Sequence, residues 1–190
     1  MNETENRAAL VRAIAMPSWL RELESANAGR IIPGDEGKMR FVIDIAVENV
    51  RHGTGGPFSA AIFELESDRL IALGINTVVP ARQSWAHAEM TAFAHAQNQL
   101  DRVSLHGCMM VTSCEPCAMC SGATPWSGIE KMIYGAPGEM AERIGFDEGY
   151  KGERWREEFA RRNIQVVGPM LGEEAFAPFR LYVEKHGRIY

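Results

Sequence analysis

Only four of the 190 residues are cysteine, and four thiols read better as reduced cysteines than as a disulfide framework. No apolar stretch approaches the roughly 18 residues of a membrane span. The N-terminus lacks the basic start, apolar run and cleavage site of a secretory signal, so a soluble, cytoplasmic protein is expected. Positive charge is also scarce: 20 Lys and Arg stand against 25 Asp and Glu, a formal net charge of −5, with a pI of about 5.6. A domain that tracks a phosphate backbone usually has a pI above roughly 9, so nucleic acid is not an expected partner. Arg161-Arg162 is too short for a basic patch and reads as a solvated helix face. Internal repeats and low-complexity tracts are missing too.

What is present is a chain of the right size for one domain with a real core, 46% of it hydrophobic. Met39, Val42, Ile43, Ala46, Val47 and Val50 repeat at helical spacing until Gly53 and Gly55-Gly56-Pro57. Apolar runs from Phe58 to Phe63 and from Leu70 to Ile75 flank the polar turn Glu66-Ser67-Asp68 and predict a hairpin. A helix over about 86–99 follows, then a strand at 109–112, a helix from Pro116, a strand at 131–134, a helix around 138–144 and a late strand at 164–167. One hairpin followed by alternating helices and strands predicts an α/β fold, a three-layer α/β/α sandwich whose loops at strand ends hold the site. Residues 1–37 are expected to form an N-terminal extension packed on the core, with a helix between Pro17 and Asn27. Cys108 reads as a buried core residue.

His87-Ala88-Glu89, with Pro116-Cys117-Ala118-Met119-Cys120 downstream, carries the chemistry. A catalytic zinc takes three protein ligands and keeps one position open. One imidazole and two thiolates suffice, so His87, Cys117 and Cys120 are the expected ligands of one zinc ion per chain. Water at the open position should ionise at a pKa of roughly 7 in favourable sites. Cys117 and Cys120, three apart, share a helical face, and Pro116 suits the first turn of that helix. His87 and Glu89, only two apart, are expected in a first turn as well, so two helix N-termini would point at the metal. Glu89, which ligates nothing, is free to carry protons. A closed structural site would need a fourth ligand, and Cys114 is the candidate. A C-x-x-C alone is shared with thiol redox motifs; the upstream His-x-Glu makes the pattern specific, and together they form a known signature of zinc deaminases.

On these residues the chain resembles the cytidine deaminase superfamily, and within it the small bacterial guanine deaminases, from about Met39 to Tyr190. Beyond the zinc residues, the resemblance rests on Gly55-Gly56-Pro57-Phe58, Asn76, Thr112-Ser113-Cys114-Glu115-Pro116-Cys117, Trp126, Gly145-Phe146-Asp147-Glu148 and the terminal Tyr190. It implies a cytidine deaminase-like sandwich around a mixed five-stranded sheet. It also implies that Asn76 hydrogen-bonds the base, that Phe58 and Phe146 pack against it, and that Ala88 and Trp126 contribute to substrate binding. Glu148 stands where relatives carry an auxiliary proton carrier, with Asp147 as the other candidate. Tyr190 implies a C-terminal segment, about 170–190, that can swap between subunits of a homodimer and close the pocket; docking on its own subunit is the alternative. Phe176, Phe179, Tyr182 and Val183 form an apolar stripe able to dock that segment. Trp85 and the stretch from Pro80 to Gln83 depart from the pattern of the relatives.

The implied reaction is hydrolytic deamination of a free base, guanine to xanthine and ammonia, a step of purine metabolism and guanine catabolism, with no redox cofactor. Guanosine, cytosine, an aminotriazine and tRNA adenosine remain alternative substrates, and an inactive binding module on the same fold is the non-enzymatic alternative.

Overall fold

The computed structural model describes residues 16–190, so residues 1–15 of the expected extension lie outside the described part. In chain order the elements are α1 (Ser18–Ala26), α2 (Asp35–Arg51), β1 (Ser59–Glu64), β2 (Leu70–Ile75), α3 (Val78–Ala81), α4 (Ala88–Leu100) and β3 (Cys108–Cys114). They continue as α5 (Ala118–Ser127), β4 (Lys131–Ala136), α6 (Gly138–Arg143), α7 (Trp155–Arg161), β5 (Gln165–Val167), α8 (Gly172–Ala175) and α9 (Ala177–Glu184).

The strands form one mixed sheet in the order β2-β1-β3-β4-β5. β1 pairs antiparallel with both β2 and β3, and β3-β4-β5 run parallel. Strand side chains alternate in direction, so β1 sends Ala61 and Phe63 to one face and Ala60 and Ile62 to the other. The first face packs on Met39, Val42 and Ile43 of α2 and Phe179 of α9. The second packs on Ala92 and Phe93 of α4 and Phe159 of α7. Helices on both faces explain why the strands read as continuous apolar runs and not as polar–apolar alternation. The expected sandwich and its five-stranded sheet are what the chain forms.

α2 starts behind Gly34 with Asp35 and Glu36 in its first turn and closes with Arg51 in its last, a charge order that suits the helix dipole. α4 lies so close to β2 that a Cβ on Gly74 would stand 2.2 Å from the Ala88 carbonyl oxygen. Glycine is required there because the backbones themselves touch.

Three details differ from the sequence reading. α5 begins at Ala118, with Cys117 as its extended N-cap (φ −62°, ψ 172°), so Pro116 precedes the helix and does not occupy its first turn. The chain leaves β3 still laddered, the Glu115 N–H donating to the Ala136 carbonyl at 2.7 Å, and turns only afterwards. α3, α7 and α8 go beyond the expected elements, since a four-residue turn such as α3 or α8 shows no periodicity and the apolar residues Trp155 and Phe159 of α7 stand isolated among charges. Val183 is half exposed, while Phe179 and Tyr182 carry the buried side of α9.

In the described part of the extension, α1 lies against the edge of the sheet. Leu20 is fully buried, and the Leu73 N–H on the free edge of β2 donates to the Glu24 carboxylate at 2.8 Å. No described helix is long and apolar enough to cross a membrane.

Candidate metal centre and base pocket

Two helices begin at one point. His87 is the extended N-cap of α4 (φ −72°, ψ 159°) and Cys117 that of α5. An N-cap is followed by backbone N–H groups with no partner in the helix, so each helix presents a partial positive charge there. Cys120 lies in the first turn of α5. The donor atoms of His87, Cys117 and Cys120 all lie within 4.8 Å of one another, and His87 Nδ1 stands 3.4 Å from Cys117 Sγ. Bonds of about 2.0–2.3 Å to a tetrahedral ion separate ligand atoms by roughly 3.3–3.8 Å, so these side chains fit a zinc ion. The chemistry fits as well: hydrogen bonds from Cys120 and, against the effect of burial, from His87 pull the Cys117 thiol down to about 4, whereas the same hydrogen bond with Cys117, and burial, push the Cys120 thiol up. Cys114 is buried beside them but is not in the cluster, and burial pushes its thiol well above the usual range. Among the described residues three donors come together here, the ligand number of a catalytic zinc site, where a structural one takes four.

Glu89, in the first turn of α4, is 6% exposed. Thr112 Oγ1 donates to its Oε1 at 3.2 Å, and Cys120 Sγ lies 3.4 Å from its Oε2. Burial, then the charge of Cys117, raises its pKa. Glu148 is buried too, and burial, reinforced by the charges of Cys117 and Glu89, pushes its carboxyl up to about 8. Its carbonyl accepts the first N–H of α5, from Ala118, at 2.8 Å. Lys151 clamps the same loop, its Nζ donating to Glu115 Oε1 at 2.6 Å and to the Pro116 carbonyl at 2.8 Å. Two carboxyl groups beside one metal position, both biased toward holding a proton, can exchange protons with a bound molecule.

Above them is a pocket lined by Phe58, Asn76, Phe146 and Tyr190 together with Glu89 and Glu148. Phe58 and Phe146 meet edge to face at 4.9 Å, and Phe146 and Tyr190 at 5.3 Å. Asn76 Oδ1 accepts the Val78 N–H at 3.2 Å, which turns the amide NH2 away from that bond. The Tyr190 hydroxyl is buried without a well-formed hydrogen bond among the described residues. It lies 2.7 Å from where a Cβ on Gly56 would stand. The arrangement sets aromatic walls against several convergent polar groups, as small-molecule sites do.

The fold thus brings His87, Cys117, Cys120, Glu89, Glu148, Asn76, Phe58, Phe146 and Tyr190 together. Tyr190 lines the cavity beside Phe146. Two expected contacts lie elsewhere. Trp126 is 83% exposed; nine residues after Cys117, it is turned about 180° around α5, away from the metal position. Ala88 is buried among the residues of the opposite sheet face and does not line the cavity with its side chain. Asp147 reaches the rim, but it is exposed and its carboxylate accepts the Gly149 N–H at 2.9 Å. Trp85 is partly exposed and outside the lining. Two residues have contacts that no sequence feature assigned to them: Thr112, quoted only as part of a matching stretch, and Lys151. Polar residues inside a buried strand, Thr112 with Ser113 after it, were the available signal for the first; nothing local marks Lys151.

Residues 34–136 match a family described as the cytidine and deoxycytidylate deaminase zinc-binding region. Among curated proteins, the chain is 38% identical to a guanine deaminase of Bacillus subtilis over 112 residues, covering 59% of this chain and 70% of that one. It is 36% identical to a probable cytosine deaminase of Schizosaccharomyces pombe over 129 residues, 65% and 77% of the two chains. Among solved structures, a guanine deaminase from Nitrosomonas europaea superimposes with a TM-score of 0.83 at 40% identity, over 89% of this chain and 94% of that one.

Proposed function

This chain belongs to the cytidine and deoxycytidylate deaminase zinc-binding family, and on that footing we propose that it is a zinc-dependent hydrolase that converts guanine and water to xanthine and ammonia. The observation that carries the reading is the three-donor set of His87, Cys117 and Cys120 beneath a slot walled by Phe58, Phe146 and Tyr190. Its support from relatives is the shared identity with guanine deaminases.

Zinc held by these three residues supplies a Lewis acid that makes water a nucleophile near neutral pH. Glu89 takes a proton from the attacking water and passes it to the purine ring. Addition of that water at C2 is followed by loss of the exocyclic amine, which Glu89, helped by Glu148, protonates so that it departs as ammonia. The amide NH2 of Asn76 donates to an acceptor on the base, and Phe58, Phe146 and Tyr190 enclose its faces. The burial of Glu89 and Glu148 keeps bulk water from competing for those protons.

The test is an ammonia-release screen over guanine, guanosine, adenine, cytosine, cytidine and aminotriazines. Guanine should dominate; a dominant signal from cytosine would move the substrate to the second reading, which the fission yeast relative favours. Glu89→Ala should retain one zinc per chain while turnover falls by roughly 10²–10⁴-fold, and a zinc-loaded variant that still deaminates would contradict the proton-carrier role.

The proposal extends to a cytoplasmic homodimer. Its supports are four unbridged cysteines and the outward apolar face of α5, where Met119 and Trp126, seven residues apart and so on one side of the helix, are 38% and 83% exposed. Exchange of C-terminal segments within the dimer is read by mixing Glu89→Ala chains with chains lacking Tyr190. Activity recovers only if tails cross.

A further inference from the structure

Asn49 is completely buried in α2 and has no place in the chemistry, yet every hydrogen-bonding atom of its amide is committed. Its Nδ2 donates to the Gly56 carbonyl at 2.7 Å and to the Asn76 carbonyl at 3.1 Å. Its Oδ1 accepts the Thr54 hydroxyl at 2.7 Å. Thr54 Oγ1 in turn accepts the indole N–H of Trp19 at 3.0 Å. Trp19 belongs to α1, in front of the stretch that matches the family, and is held by stacking on His52 with centroids 4.9 Å apart and planes within 5°.

The far end of this chain is the base pocket. Gly56 and Asn76 are the two backbone points between which the pocket wall is strung: the Phe58 N–H donates to the Gly56 carbonyl at 2.8 Å, and the Asn76 N–H to the Phe58 carbonyl at 3.1 Å. There is no slack between them. A Cβ on Gly55 would stand 1.7 Å from the Asn76 carbonyl oxygen. A shift of the Asn49 amide therefore moves Asn76 and Phe58 together, and with them the Asn76 side chain, which lines the cavity and accepts the Val78 N–H.

We propose that α1 of the N-terminal extension fixes the base-recognising amide of Asn76 through a Trp19–Thr54–Asn49 hydrogen-bond relay, which makes these three positioning residues for substrate recognition. The claim that they act on guanine binding rests on the function proposed above; the relay itself does not. A buried network whose members are all satisfied gains rigidity at every link and loses it when one is removed.

The test uses Trp19→Phe, which keeps the stack on His52 and loses the N–H, and Thr54→Val, which keeps the shape and loses the hydroxyl. Each should raise the KM for guanine on the order of 3- to 10-fold, the effect of one hydrogen bond, with kcat within about two-fold and zinc content unchanged. The double variant should be no worse than the worse single one, because both cut the same relay. Independently of any substrate, hydrogen exchange at the Val78 amide should quicken in both variants. A KM like that of the wild type, a multiplicative double variant, or unchanged exchange at Val78 overturns the proposal; so does a lower Tm with neither KM nor exchange altered, which marks α1 as merely structural. If the wild type releases no ammonia from guanine while Val78 exchange still quickens, the substrate reading falls and the relay stands.

Discussion

His87 and Cys117 occupy the same local position in two different helices: each is the residue just before the first turn, and their Nδ1 and Sγ atoms lie 3.4 Å apart. The consequence is a metal position flanked by two helix N-termini, which favour negative charge near the metal.

Ligand identity follows from this geometry. Cys117→Ser and Cys120→Ser should weaken zinc binding by more than the roughly 10–100-fold typical of changes outside the ligand shell, measured by metal analysis after dialysis against a chelator. Cys114→Ser should keep one zinc per chain. Loss of zinc in that variant would mean a closed four-ligand site.

Glu148 should matter to turnover and not to metal content. Glu148→Gln keeps the size of the side chain and removes its proton exchange, so kcat should fall by roughly 10²-fold with zinc retained. Full activity would remove the proposed role and point back to Asp147.

Deleting Arg188 to Tyr190 opens the pocket. The edge-to-face contact with Phe146 contributes about 0.5–1.5 kcal/mol in such pairs, so the KM for guanine should rise roughly 10-fold or kcat should fall. Steady-state kinetics identical to those of the full chain would refute the closing role of Tyr190.

Stability should carry a pH signature at the edge of the sheet. Burial raises the Glu24 carboxyl above its ordinary value of 4.5, partly opposed by the Leu73 N–H and by His95. A raised folded-state pKa means that this group's contribution to stability is complete below the unfolded value and is lost as pH rises through the folded one. Glu24→Gln can still accept from Leu73 and does not ionise, so it should match the wild type near pH 4 and melt higher at pH 7. The shift should be small, on the order of 1–2 °C, because the site is only half buried. A variant less stable at pH 7 than at pH 4, relative to the wild type, would contradict this.

The metal ligands and Glu89 were legible in the sequence because their chemistry depends on residue type at fixed short spacing: an imidazole two residues from a carboxylate, and two thiols three apart. The α/β sandwich was legible because burial on both faces of the sheet leaves apolar runs, and helices leave their own period. The terminal aromatic was visible only by resemblance, and its partner Phe146 lies 44 residues away in the chain. What the tertiary structure alone decided are the relationships between distant residues. It turned Trp126 to the outer side of α5, left Asp147 bonded to its own loop and buried Glu148 in the same pocket as Cys117. It also tied Trp19 to Asn76 through side chains from two further segments. Residue type sets what a group can donate, accept or ligate, but packing sets which groups meet and how far each lies from water, and that contact information is not periodic in the chain.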